Sequence, residues 1–198
     1  MRKRITTKAI EYPEAAKLAR DCAKKGDWRR MLGCAGNNQL AFFYDNRKWF
    51  EDRGLYEAGL LYAWNHQKVT LHWRQHIKIL LVLGNREMFE EASDPLPEGD
   101  EFTVYRGITD YKGEIHGVPI AGEVRGVSWS LNPETARRFA WETGKIYATK
   151  VKREDIYAYL GRPESEGETL YRREEEVMVI LKPDHDVWVH EEVGETQQ

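Results

Sequence analysis

Arg173-Glu174-Glu175-Glu176-Val177-Met178-Val179-Ile180-Leu181 sets three acids directly against five apolar residues. The apolar run is rich in β-branched side chains and predicts a buried strand. The acids then stand at the strand's mouth. In an extended chain, residues i and i+2 share a face. Glu174 and Glu176 are therefore expected side by side, with Glu175 turned away. Two carboxylates on one rim repel, so holding them together costs stability unless a cation or a reaction compensates. Taken alone, the segment also fits a solvated charge run that caps a strand. The residues upstream decide between the two.

The 198 residues suffice for one large domain, or for a compact domain with an appended lobe. Hydrophobic residues make up 41% and aromatic residues 12%, which excludes a disordered chain. A net charge of −3 gives no global basic signature for nucleic acid, although a local basic patch stays open. Cys22 and Cys34 have no metal-ligand spacing and read as buried reduced thiols. Met1-Arg2-Lys3-Arg4 lacks the apolar core of a secretory signal, and Ile77 to Leu83 is too short to span a bilayer. The expectation is a soluble cytoplasmic protein with no membrane partner.

In the first half the periodicity is helical. Pro13 is placed to open a helix through Ala15, Ala16, Leu18, Ala19, Cys22 and Ala23. Asp27 is placed to cap a second, through Trp28, Met31 and Leu32. Residues 39–44 are ambiguous between helix and strand. One long helix is expected through Trp49, Phe50, Leu55, Leu60, Leu61 and Trp64, weakened by Gly54 and Gly59. Another spans about 70–83, with His72 and His76 on one face but no third ligand, so no metal is expected. Trp28, Arg29, Arg30, Trp49, Trp73 and Arg74 read as core aromatics with solvated charges, or as a target-binding surface. Residues 93–100 carry two prolines, a glycine and three acids, and read as a linker. The expected organisation is a helical lobe over 1–95 and a second domain over 101–198.

The period changes after residue 100. Phe102, Val104 and Ile108 define a strand carrying Tyr105-Arg106-Gly107. Gly122 to Ser130 reads as a second strand, ending in Ser128-Trp129-Ser130. Asn132 caps a helix with Pro133 at its first position and Ala136, Phe139 and Ala140 inward, and Gly144 ends it. Lys145–Val151 alternates as a third strand. A short strand or turn over Asp155–Leu160, a polar loop from Arg162 to Arg173, the Glu174–Leu181 strand and a last strand over Asp186–Val193 complete the pattern. Short strands with one helix, without βαβ alternation, indicate an α+β class.

Arg106 in a half-buried strand needs a partner, either a structural ion pair or a bidentate phosphate or carboxylate ligand. Gly107 lets a ligand come close. Ser128 and Ser130 share a strand face and can orient a ligand or a carboxylate, or they are ordinary strand-edge serines. With Glu174 and Glu176 these groups suit cleavage at a sugar's anomeric carbon beside a phosphate, through an oxocarbenium-like transition state. A dinucleotide such as NAD offers every handle.

Tyr105-Arg106-Gly107, Ser128-Trp129-Ser130 and Glu174-Glu175-Glu176-Val177 resemble the Arg, Ser-x-Ser and Glu-x-Glu motifs of the mono-ADP-ribosyltransferases, the class that includes cholera toxin, clostridial binary toxins and T4-type phage enzymes. The resemblance covers roughly residues 101–193. It implies an ADP-ribosyltransferase-like split β-sandwich core that binds NAD as substrate, without a metal. It implies that Arg106 holds the NAD phosphates and the nicotinamide ribose region, with Gly107 at the cofactor. It implies that Ser128 supports the nicotinamide pocket and places the catalytic glutamate, with Ser130 assisting. Glu176 would bind the nicotinamide ribose and stabilise the oxocarbenium ion, and Glu174 would activate the acceptor. Tyr171 and Arg172, in the loop before Glu174, would contact the acceptor. Trp141–Gly144 is short where some members carry a longer phosphate-nicotinamide loop.

The resulting expectation is a mono-ADP-ribosyltransferase, a glycosyltransferase, acting on a macromolecule as a bacterial or phage toxin or effector. Protein arginine is the favoured acceptor, RNA or DNA the alternative, and an antitoxin or immunity partner stays open. An NAD glycohydrolase and a non-catalytic binding module on the same fold are the competing readings.

Overall fold

The computed structural model describes residues 4–66, 71–109, 114–115, 118–119, 124–161 and 174–193, with side chains described within 4–66, 76–109, 124–161 and 174–193. The chain divides into two units, 1–73 with 82–92, and 74–81 with 93–198. A middle stretch of one helix is thus counted with the second unit.

The first unit is helical. Helix α1 (Pro13–Lys25) starts on its proline and stops at Gly26, whose φ of 80° lets its N–H reach the Cys22 carbonyl. Asp27 caps α2 (Trp28–Gly33), its carboxylate accepting the Arg30 N–H at 3.2 Å. The ambiguous residues 39–44 form the first turns of α3 (Gln39–Glu51). The single long helix expected through Trp64 is two helices, α3 and α4 (Tyr56–Asn65). Gly54 adopts a φ of 63°, which terminates the right-handed path after α3. The two helices then fold against each other. A Cβ on Gly59 would lie 2.7 Å from the Phe50 ring and 3.1 Å from that of Phe43, so the glycine lets α4 seat on those rings. Helix α5 (Leu71–Leu83) follows, then α6 (Arg86–Ala92). No periodic pattern announced α6. It depends on Asn85, whose side chain accepts the N–H groups of Glu87 and Met88 at 2.9 and 3.3 Å, and on buried Phe89.

The expected linker 93–100 belongs to the second unit. The Asp94 N–H donates to the Tyr159 carbonyl at 2.9 Å, and its carboxylate accepts the Gly161 N–H at 2.9 Å. Arg153 binds the carbonyls of Gly99 and Pro97 and donates its own N–H to Asp100. Proline and glycine removed the periodicity, but the backbone is hydrogen-bonded along the segment.

Six strands form one antiparallel sheet: β1 (Glu101–Ile108), β4 (Ser128–Ser130), β5 (Lys145–Lys152), β6 (Ile156–Leu160), β7 (Glu176–Val179) and β8 (Trp188–Glu192), in the order β6-β7-β4-β1-β5-β8. A small separate hairpin, β2 (Glu114–Ile115) with β3 (Val118–Pro119), had no counterpart in the sequence reading. The second strand, expected from Gly122, extends only over Ser128–Ser130 among the described residues, because the chain turns at 124–125. The mixture of helices with this sheet is the α+β class.

The two faces of the sheet differ. On one, Val104, Trp129, Val151, Ile156, Val177, Val179 and Leu181 form a core. The other is covered by helix α7 (Pro133–Ala140), whose Ala136 and Ala140 pack with Ile146 and Tyr105. Asn132 caps α7 by accepting the Glu134 N–H at 2.9 Å. Phe139, expected inward, is 50% exposed, since Ala136 and Ala140 take the sheet-facing positions. Gly144 is not the helix end either. Trp141 makes the exit with a φ of 57°, and Gly144 lies against the carbonyls of Ile108 and Ala140, where a side chain has no room.

Candidate active site

The three motifs, Arg106, Ser128-Trp129-Ser130 and Glu176, are separated in the sequence but occupy three adjacent strands, β1, β4 and β7. Tyr105 pairs with Ser130, and Ser130 pairs with Glu176. On the far side Glu176 pairs with Leu160. Directly paired residues share a sheet face, so Tyr105, Ser130 and Glu176 form one row on the α7 side. Ser128, opposite Met178, lies on that face too, as the i, i+2 spacing required. Ser130 and Glu176 are both buried, and Ser128 and Arg106 are half-buried.

Ser130 is a junction. Its hydroxyl donates to the Glu174 carbonyl at 2.5 Å and accepts the Asn132 N–H at 3.0 Å. It therefore ties the acidic segment to the residue that caps α7. The Leu131 N–H adds a bond of 3.0 Å to the Glu175 carbonyl.

The pairing of Glu174 with Glu176 on one face does not hold as expected. The strand starts at Glu176, and Glu175 has a φ of 45°. A residue in the left-handed region breaks the alternation on which the i, i+2 argument rested. Such strain in a non-glycine residue persists only where its surroundings enforce it, and it is concentrated at functional sites. Here the enforcing contacts are the bonds from Ser130 and Leu131.

Gly107 also does a different job from the one expected. A Cβ there would run into the Ala136 carbonyl and stand 2.6 Å from the Ala140 nitrogen. The open side of Gly107 is filled by the α7 backbone. It sets the closeness of helix and strand rather than leaving room for a ligand.

Arg106 starts from the opposite face. It pairs with Tyr147, which packs against the Val104 and Trp129 core. Its guanidinium then reaches across β4, where an Nη1 hydrogen is donated to the Ser128 carbonyl. It lies flat on Gly126, where an added Cβ would be 2.6 Å from the guanidinium carbon. The Gly126 carbonyl accepts the Trp129 indole N–H at 2.8 Å, which fixes that support. Although β1 pairs with β5 along eight residues, it pairs with β4 only at Tyr105 and Ser130.

Tyr171 and Arg172 lie outside the described residues, as does the loop 162–173. The His72 side chain does as well. Among the described residues no group of three or more His, Cys, Asp or Glu side chains could hold a metal ion. Cys22 is buried and Cys34 half-buried, and burial raises the Cys34 thiol above its usual pKa. No helix among the described residues is long and apolar enough to cross a membrane. Sequence reasoning missed Gly126, whose signal is only its place two residues before Ser128, and Thr135, discussed below. No protein-family model matches the chain, and neither a curated protein nor a solved structure matches it.

Proposed function

We propose that the chain is an NAD-dependent mono-ADP-ribosyltransferase whose second unit is an ADP-ribosyltransferase-like split β-sandwich. The observation that carries the reading is the Tyr105, Ser130 and Glu176 row across three adjacent strands, with the Arg106 guanidinium donating to the Ser128 carbonyl on the middle one. In this reading the Arg106 guanidinium binds the NAD phosphates. The glycosidic bond from C1′ of the ribose to nicotinamide breaks, and nicotinamide leaves neutral with the bonding pair. The Glu176 carboxylate stabilises the oxocarbenium ion that remains. An acceptor nucleophile, a protein arginine or a group on RNA or DNA, bonds to C1′ and gives its proton to Glu174. Ser128 and Ser130 hold the acidic segment in place. Gly107 is left out of the NAD contacts, because its free side is occupied by α7.

The φ of Glu175 favours a second reading, NAD glycohydrolase. The kink at Glu175 breaks the strand alternation before Glu176, so the sheet register does not set the Glu174 carboxylate beside that of Glu176. Water then serves as acceptor. Incubation of the protein with NAD labelled in the adenylate, in a cell lysate, separates the readings. Label on a macromolecule supports transfer, free ADP-ribose alone supports hydrolysis, and intact NAD with Glu176→Gln indistinguishable from wild type removes both. A nucleic-acid acceptor would further show steep loss of binding with salt.

A further inference from the structure

Thr135 is 2% exposed, and its hydroxyl finds no hydrogen-bond partner among the described residues. A buried hydroxyl without a partner is unfavourable by itself and calls for an explanation. Gln39 Oε1 is in the same state, but it lies in the first turn of α3, in the unit that carries none of the motifs. Thr135 is in the first turn of α7, three residues after Asn132, which bonds to Ser130.

The direction of Thr135 follows from helical phase. Ala136 faces the sheet at β1 and β5, since it packs with Ile146 and Tyr105 and its backbone lies against Gly107. At roughly 100° per residue, Arg137 projects to one flank of α7 and Thr135 to the other. The Arg137 flank is identified by its double hydrogen bond to Glu191 of β8, one bond being 2.6 Å. In the sheet order, β8 and β5 lie on one side of β1, and β4 and β7 on the other. The Thr135 flank therefore faces β4 and β7. That is where Ser130 and Glu176 stand, on this same sheet face, and both are buried like Thr135. Half-exposed Phe139 lies on the same flank one turn later.

We infer that Thr135 is a ligand-binding residue of the site, its hydroxyl completing its hydrogen bonding with a carboxamide or hydroxyl at the nicotinamide ribose end of NAD. The inference rests on the transferase or glycohydrolase reading, because it borrows the ligand from it. The hydroxyl has no protein partner among the described residues, and the bound dinucleotide supplies one.

The test uses the full chain, NAD itself, and nicotinamide release as the readout. Thr135→Val keeps the shape and removes the hydroxyl. It should raise KM for NAD roughly three- to tenfold with kcat nearly unchanged, as expected for a contact made equally in ground and transition states. Thr135→Ser should stay close to wild type. The melting temperature of ligand-free Thr135→Val should hold or rise, because an unpaired buried hydroxyl has been removed. An unchanged KM, a lowered melting temperature, or a Ser variant as impaired as the Val variant overturns the assignment while leaving the NAD reading intact. If wild-type protein releases no nicotinamide, that reading falls and this assignment falls with it.

Discussion

Each unit buries one glutamate among the described residues, Glu57 in the helical unit and Glu176 in the sheet unit, at 5% and 7% exposure. Their surroundings differ. Glu57 accepts the Asn85 N–H at 2.7 Å, and Asn85 in turn caps α6. Its carboxylate is a joint between two helices. Glu176 is the first residue of a strand, beside Ser130 and one position after a residue with positive φ. Burial of an acid is thus no sign of function in itself. Its place at the end of a strand, among hydroxyls and enforced strain, is what separates the second glutamate from the first.

Glycines give the same contrast and the largest expected effect. Gly59 meets the buried side-chain rings of Phe50 and Phe43, the nearer at 2.7 Å, whereas Gly107 meets the backbone of α7 at closer range. Gly107→Ala should cost about 3 kcal/mol or more, the upper range for overpacking. Gly59→Ala should cost less, since about 1 kcal/mol of helix propensity offsets the overpacking against the rings. Urea denaturation of both variants measures the difference. Equal losses would mean that α7 can slide on β1, and the placement of Thr135 would lose its support.

Next is the pair of acids. Glu176→Gln should lower nicotinamide release by about 10²-fold or more, the scale of a lost transition-state electrostatic contact, with the melting temperature held. Glu57→Ala should do the reverse. It leaves the Asn85 N–H without its acceptor and should cost about 1–3 kcal/mol, with turnover per folded molecule unchanged. If Glu57→Ala alone reduced turnover, the division of labour between the two units would be wrong.

The sequence carried the class of the fold and the positions of the helices that had a cap or a proline. Pro13, Asp27 and Asn132 each act locally, so each could be read without tertiary information. The sequence also put the three motifs on strands, but it could not order those strands, because pairing is non-local. It overestimated β4 and treated 93–100 as a linker, since bonds from Arg153 and Asp94 leave no periodic trace. The larger miss was at the site. A strand argument assigned Glu174 and Glu176 to one face, and a single φ of 45° at Glu175 cancels it. Phe139 fitted the apolar period of α7, yet two alanines won the sheet-facing positions because Gly107 brings the helix too close for a ring. The wrong readings occur where one backbone angle or one close approach outweighs the pattern.

The smallest effect concerns pH, and it also sets one unit against the other. Burial, then Glu51 and Glu57, pushes the Tyr56 phenol in the helical unit well above its usual pKa. In the sheet unit burial, then Glu175 and Asp94, raises Tyr159 less strongly. A folded-state pKa above the unfolded one means the folded chain holds the phenolic proton more tightly. The stability this contributes is complete below the unfolded pKa of about 10 and is lost as pH climbs through the folded value. Melting temperature should therefore fall on the alkaline side of about pH 10. Tyr56→Phe should flatten that fall more than Tyr159→Phe, because the Tyr56 phenol is the more strongly perturbed of the two. If Tyr159→Phe flattened it more, the order of the two phenols would be reversed, and burial in the sheet unit would hold the phenolic proton more tightly than burial beside Glu51 and Glu57 does.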